Sequence, residues 1–403
     1  MTSKTTSLNN NDDTNNDATT SSNSNNSNKP SIRWGIIGLG DVCTQKSGPA
    51  FYKCTGSTLV AVTRRTPGKA HQFADQFNTN THTLTLNNHI KCSGYETIDA
   101  LLNHPGGLDA VYISTRPGTH YEICAQVAAA GLPCYVEKPV GRCAAETTAI
   151  VQLFQTARVP LFTAYISRAY DRTQAARTLL RNGRIGDTLR RVTYKLVGNG
   201  GARDMEGDVP WRLDASQSGG GLILDVGCHI IDRIHYICGP FIHVMGEAQN
   251  RNTPHSIVED WVHFTATIGE SASWAAMKNT KGATVDCVWD FGNKDGLDVG
   301  DILTIVGSNG SMTMTGTTNL QIFDIHGTLV EEQEFPMPEH TAQPLIQAVT
   351  DDLRGVRTSD VLSDGDAAIR AQRVMDSCLG DYYGGREIGY WNRSHSWPGR
   401  TKR

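Results

Sequence analysis

Three residues in this chain stand where types and spacing could do chemistry: Lys138 in Glu137-Lys138-Pro139, and Asp225 and His229 in the run GGGLILDVGCHIID that starts at Gly219. Asp225, His229 and Asp232 recur at intervals of four and three, so a helix over Leu222 to Ile237 puts them on one face. A carboxylate in reach of an imidazole favours its charged form and can fix its tautomer, which suits proton transfer near neutral pH. Alone, such a pattern more often marks a histidine of the core, and other segments must lend it weight. The triplet Gly219-Gly220-Gly221 ahead of it predicts close approach of backbone to a ligand.

The elements that would position these residues begin at Ile32. The segment Ile32 to Ile37 reads as a short apolar strand that enters Gly38-x-Gly40-Asp41-Val42-Cys43 and then a helix. This is where a Rossmann crevice sets a pyrophosphate on backbone N–H groups at a helix N-terminus. The third glycine of the usual pattern is replaced by Cys43, still small enough for close helix packing. A second strand, Thr58 to Val62, ends in Thr63-Arg64-Arg65. An acid there would bind the ribose hydroxyls of NAD, whereas arginines accommodate the extra phosphate of NADP, so NADP is the expected cofactor and NAD the second choice.

A third strand, Asp109 to Ser114, runs into Thr115-Arg116-Pro117-Gly118-Thr119-His120, and a helix follows from Tyr121 to Ala130. The next strand, Pro133 to Val136, delivers Glu137-Lys138-Pro139. Both turns fall at carboxyl ends of parallel strands, the ligand-binding edge of an open α/β sheet. Lys138 in a partly dry pocket beside a cationic nicotinamide is expected to have a lowered pKa.

In this combination of motifs the chain resembles the glucose-fructose oxidoreductase, inositol dehydrogenase and rhizopine-catabolism (Gfo/Idh/MocA) family, from about Ile32 to a helix ending near Tyr383. The resemblance implies Lys138, Asp225 and His229 as the catalytic set. It also implies a cofactor site of Gly38, Gly40, Asp41, Val42, Arg64, Arg65, Thr115, Pro117, His120, Glu137 and Lys138. Trp211 and Arg212 match a segment that lines the sugar pocket, and Tyr165 and Arg168, where the chain enters the second domain, are expected to bind substrate with them. Asp171 departs from the pattern, standing where many members have proline. The implied chemistry is hydride transfer between a nicotinamide and a CH–OH or carbonyl carbon of a sugar, polyol or related cyclic diol. Lys138 would hold the reacting oxygen and His229, oriented by Asp225, would relay the proton; which of the two makes the direct transfer stays open. The alternatives are a trans-dihydrodiol dehydrogenase, a glycosidase that keeps its NAD bound, and a non-catalytic dinucleotide-sensing regulator.

Composition agrees with an enzyme of two domains. The 403 residues suffice for two cores, and a net charge of −4 without a basic stripe argues against nucleic acid as the main partner. No apolar run is long enough for a membrane span, and no secretory segment opens the chain, so a cytoplasmic protein is expected. Ten cysteines without C-x-x-C spacing predict neither a zinc site nor a disulfide framework but small buried hydrophobes.

The expected organisation is a disordered Asn/Ser/Thr-rich tail (1–30), a Rossmann NADP-binding domain (31–160), an α+β substrate and oligomerisation domain (161–385) and a tail of undecided order (386–403). In the second domain a helix from Asp171 to Arg181 ends at Asn182-Gly183. Alternating runs then predict a mostly antiparallel sheet: Leu189 to Val197, Ile242 to Asn250, Asp260 to Ile268, Ser273 to Met277, Val285 to Phe291, Asp301 to Val306, Ser311 to Thr315 and Leu320 to Asp324. A final helix from Asp364 to Tyr383 opens on Ser363-x-x-Asp366, a capping-box spacing. The resemblance implies that the outer face of this sheet pairs subunits into a homodimer or higher homo-oligomer.

Overall fold

A computed structural model describes residues 29–81, 91–198, 210–251, 256–293 and 300–397. The first twenty-eight residues, and with them most of the expected tail, lie outside the described residues.

The N-terminal half is an open parallel sheet. Its strands are β1 (Ile32–Ile37), β2 (Ser57–Thr63), β3 (Ser93–Tyr95), β4 (Ala110–Ile113), β5 (Cys134–Val136) and β6 (Leu161–Thr163), in the order β3-β2-β1-β4-β5-β6. Helices α1 (Ala50–Lys53), α2 (Lys69–Thr81), α3 (Ile98–Leu102), α4 (His120–Ala129) and α5 (Ala144–Ala157) connect them. This is the doubly wound order whose crevice lies beyond the strand ends where the order reverses, here between β1 and β4. The strands are buried on both faces, which explains their near-continuous apolar runs: every residue of Ala110–Ile113 and Cys134–Val136 is buried. Because β6 pairs with β5, the expected boundary at 160 cuts through the sheet's edge; the first domain holds β6.

The second half begins with α6 (Asp171–Arg181), on the expected bounds. Asp171 takes its first turn, where a carboxylate suits the helix dipole, so the departure from proline leaves the chain helical. After β7 (Leu189–Val197) come α7 (Ala215–Ser218) and α8 (Cys228–Cys238), and then β8 (Phe241–Gln249), β9 (Trp261–Ile268), β10 (Thr284–Asp290), β11 (Gly300–Gly307), β12 (Gly310–Thr315), β13 (Asn319–Phe323) and β14 (Leu329–Glu334). The eight strands order as β14-β13-β12-β11-β7-β10-β9-β8, antiparallel throughout except for β7 with β10. Their inner face, with Val262, Phe264, Cys287, Trp289, Leu303 and Met312 buried, joins α8 in one core.

Three sequence expectations change here. Ser273 to Met277 forms no strand: Trp274 Nε1 donates to His235 O at 3.2 Å and Ala276 N to Ile237 O at 2.8 Å, so its apolar residues seat the end of α8. Elements not expected include the edge strand β14 and α9 (Gln343–Leu353), whose Leu345, Ile346 and Val349 pack with Trp34 and Tyr112 of the first sheet. The last helix, α10 (Gly365–Tyr383), is capped by Asp364, which accepts from Ala367 N at 2.9 Å. Ser363, the residue the capping-box spacing selected, instead donates its hydroxyl to Thr163 O and ties α10 to β6.

Candidate active site

Lys138 follows β5 directly, at the carboxyl edge of the parallel sheet, and Asp225 lies in a π-helical turn, Ile223–Gly227, that leads into α8. Lys138 Nζ donates to Asp225 Oδ1 at 2.7 Å and to Asp225 O at 2.8 Å. The other carboxylate oxygen is also taken, by Arg212 Nε at 2.8 Å. Both Asp225 oxygens therefore serve cations, and the expected Asp225–His229 contact is replaced. His229 stands on the first turn of α8 with Nδ1 buried and without a hydrogen-bond partner, its ring edge-on to Tyr165 at 6.1 Å. The helical face was legible in the spacing, but Lys138, distant in sequence, competes better for the acid.

The electrostatics follow this arrangement. Burial works against the Asp225 carboxylate, but Lys138 and then Arg212 overcome it and hold its pKa down to about 2. Burial also works against the Lys138 ammonium, yet Asp225 and the other groups around it raise its pKa above the ordinary value. The lowered lysine expected from sequence is thus reversed, because its nearest charge is a carboxylate. His229 is pushed well below the ordinary histidine value by burial first and by the Lys138 charge second, so its imidazole is neutral. Beneath Lys138, Tyr112 donates its hydroxyl to Glu137 Oε1 at 2.6 Å, and burial raises the Glu137 pKa.

The triplet expected to meet a ligand meets protein instead. Gly219, at φ +92°, leaves only 2.4 Å between an added Cβ and Arg142 O, and at Gly221 the distance to Glu259 O would be 2.2 Å. Side chains are excluded here so that the segment before Asp225 can lie against the backbone after Lys138. Arg386 locks that seam, donating to Gly219 O at 2.8 Å and Arg142 O at 2.7 Å while pairing with Asp376 at 2.7 Å. Arg142 in turn lies over Trp391, 3.4 Å from the ring centroid. Residues 386–397, whose order the sequence left undecided, are thus part of the scaffold, with Tyr390 and Trp397 buried. Gly-rich spacing and a basic composition concealed them; the two tryptophans were the available signal.

On the cofactor side, the residues present fit a dinucleotide. Gly38 adopts φ +100° at the sharp turn after β1, and no atom lies within 4 Å of where a Gly40 Cβ would stand. The backbone at Gly40 is therefore open to a pyrophosphate at the start of the Asp41-Val42 turn, with Cys43 buried beneath in place of a third glycine. Arg64, at the end of β2, donates from Nη1 to Leu39 O at 2.7 Å and so lies beside that turn, with Arg65 exposed next to it. Thr115 and Pro117 form the turn after β4. His120, expected in the cofactor site, is fully buried, with Nδ1 3.0 Å from Val140 O and Nε2 3.2 Å from Thr115 O, and so braces two strand-end turns from within.

Of the expected substrate residues, Trp211 and Arg212 stand half-buried at the cleft beside Asp225. Tyr165 and Arg168 lie deeper. Arg168 is buried and bound to Asp232 through Nε at 2.8 Å and Nη2 at 2.6 Å, so the third acid of the helix motif belongs to a core ion pair. Among the described residues no group of three metal-ligating side chains converges, and all ten cysteines are buried thiols.

Known proteins share this architecture. The profile described as "Oxidoreductase family, NAD-binding Rossmann fold" matches residues 32–165, and that of the GFO/IDH/MocA C-terminal domain matches residues 173–313. The chain belongs to the Gfo/Idh/MocA oxidoreductase family. Within it, oxidoreductase P35 of Formosa agariphila is 31% identical over 317 residues, 78% of this chain and 89% of that one. A dTDP-3,4-didehydro-2,6-dideoxy-alpha-D-glucose 3-reductase of Saccharopolyspora spinosa is 29% identical over 52% of this chain and 57% of its own. The crystal structure of aldose-aldose oxidoreductase from Caulobacter crescentus, complexed with glycerol, has a TM-score of 0.69 at 21% identity, covering 93% and 98% of the two chains, and so shares the fold. This Gfo/Idh/MocA chain is an oxidoreductase with an NAD-binding Rossmann domain and a large, mostly antiparallel second sheet.

Proposed function

We propose that this protein moves a hydride between NADP, in preference to NAD, and a CH–OH or carbonyl carbon of a sugar, polyol or related cyclic diol. The observation that carries the reading is Lys138 Nζ, held 2.7 Å from Asp225 Oδ1 at the carboxyl edge of the Rossmann sheet and close enough for its charge to act on a neutral His229 whose Nδ1 has no hydrogen-bond partner. The nicotinamide dinucleotide, when bound, would supply the hydride acceptor or donor. Lys138 then orients the substrate oxygen and offsets the negative charge that develops on it. Asp225 holds the ammonium in place and keeps it protonated. Neutral His229 takes the alcohol proton during oxidation and passes it to solvent; in reduction the ring first takes a proton from solvent and then gives it to the alkoxide oxygen.

The sugar class draws support from the reductase relative of Saccharopolyspora spinosa, and the NADP preference from Arg64 and Arg65 at the end of β2. Assembly as a homo-oligomer is part of the same reading, with Ile242, Met245 and Ile302 exposed on strands of the second sheet. A cytoplasmic setting suits ten buried thiols without a disulfide. The test is to follow nicotinamide absorbance with NADP(H) and NAD(H) in parallel against aldoses, ketoses, polyols, inositols and dihydrodiols. Turnover with a sugar or polyol and a preference for NADP is the expected result. Silence across the panel would contradict the reading and favour a dinucleotide-sensing role.

A further inference from the structure

Around Asp225 and Trp211 the chain gathers more positive charge than hydride transfer requires. Trp211 and Arg212 come from the segment before α7, and Arg116 from the turn after β4. The guanidinium carbons of Arg212 and Arg116 lie 4.4 and 5.9 Å from the centroid of the Trp211 ring. Arg212 gives Asp225 only its Nε, whereas Arg33, Arg142 and Arg168 each hold their carboxylates through both Nε and Nη2. Its two Nη groups donate to nothing among the described residues, and its side chain is 38% exposed. Arg116 is exposed too, and no carboxylate among the described residues pairs with it. Lys138 and Arg212 both bind Asp225, and Arg116 shares the Trp211 ring with Arg212, so three cations gather around the one carboxylate that pairs with two of them.

Guanidinium groups with free N–H pairs fit the oxygens of a carboxylate or phosphate two at a time, and an indole face between them offers a surface for the C–H face of a sugar ring. We propose that the substrate of this protein carries an anionic substituent, a carboxylate or a phosphate on the sugar, bound by Arg116 and Arg212 beside Trp211 while its reacting carbon lies at Lys138. The proposal rests on the hydride-transfer reading and adds the substrate's charge to it. Of the two oxyanions, the planar carboxylate matches the single free edge of Arg212.

The test compares kcat/KM for D-glucose, D-glucuronate and D-glucose 6-phosphate, and for D-galactose and D-galacturonate, in wild type and Arg116→Gln. Calorimetric binding of the same sugars to the dinucleotide-loaded protein runs beside it. The expected result is preference for an anionic sugar over its neutral parent, with the ratio of the two kcat/KM values falling roughly five- to tenfold in Arg116→Gln, as for loss of one partly screened charge contact. The two anionic arms separate carboxylate from phosphate. Turnover of neutral sugars as good as that of their acids, or an unchanged ratio in the variant, would overturn the anionic substrate and leave hydride transfer standing. Binding of an anionic sugar that Arg116→Gln weakens, without turnover, would keep the anion site and end the hydride-transfer reading; neither binding nor turnover would end both.

Discussion

Asp225 is the residue through which the others act. Its two oxygens bind Lys138 and Arg212, which leaves His229 neutral and unpaired beside a positive charge. Replacing Lys138 with methionine is expected to lower turnover by about 10² to 10³-fold, the range for removing a group that stabilises a developing oxyanion, while dinucleotide affinity measured by fluorescence titration changes little. The same variant removes a charge that depresses the His229 pKa, so the imidazole should titrate at a higher pH than in wild type when followed by NMR. An unchanged midpoint would mean that the lysine charge does not reach the ring. Both His229 and Asp225 have folded-state pKa values below their unfolded ones, so each takes up protons more readily on unfolding. Their contributions to stability are present above the unfolded pKa, about 6.5 for histidine and about 3.9 for aspartate, and are lost as the pH falls. For Asp225 the loss runs down to about 2. The spacing of Asp225 and His229 showed a shared helix face, but the partner of the acid could not be read from it, because Lys138 is 87 residues away.

Among the elements, the glycine turn and the C-terminal segment do different work. With nothing within 4 Å of an added Cβ, Gly40→Ala should leave the unfolding midpoint nearly unchanged, within about 0.5 kcal/mol, yet raise the dinucleotide Kd because the methyl occupies the pyrophosphate's approach. A variant that binds the dinucleotide as wild type would remove Gly40 from the site. Arg386 offers the opposite contrast. Its side chain is 2% exposed and joins Asp376, Gly219 and Arg142, so Arg386→Met should cost about 3 kcal/mol in denaturant unfolding, the low end of the range for breaking a buried pair because Asp376 is only half-buried. Arg184→Ala, which breaks a more exposed pair with Glu331, should cost less than about 1 kcal/mol. Equal losses would mean that the seam between the Lys138 and Asp225 segments does not depend on Arg386. Strong periodicity made α6 and most strands of the second sheet legible. The edge strand β14, LVEEQE, escaped because its side chains are mostly exposed and need no apolar face, and Ser273 to Met277 misled because a short apolar run that packs against a helix end reads like a buried strand.

Across the whole molecule, two sheets meet so that the strand-end lysine of one reaches the acid before the central helix of the other. The Rossmann half was readable because buried parallel strands and the Gly38 turn leave a local signature; the return of α9 onto the first sheet and of the C-terminal segment onto the seam was not, because both depend on long-range packing. The proposed NADP preference belongs to this scale and is tested at Arg64 and Arg65: replacing both with alanine should shift the NADP-over-NAD ratio of kcat/KM toward NAD by roughly tenfold or more, the loss of one to two charge-assisted phosphate contacts. The most direct test of the central claim is the initial rate of nicotinamide reduction or oxidation with the sugar panel, wild type and Lys138→Met side by side, at saturating dinucleotide. The account predicts turnover by wild type and a loss of at least about a hundredfold in the variant. Equal rates in the two proteins would contradict it.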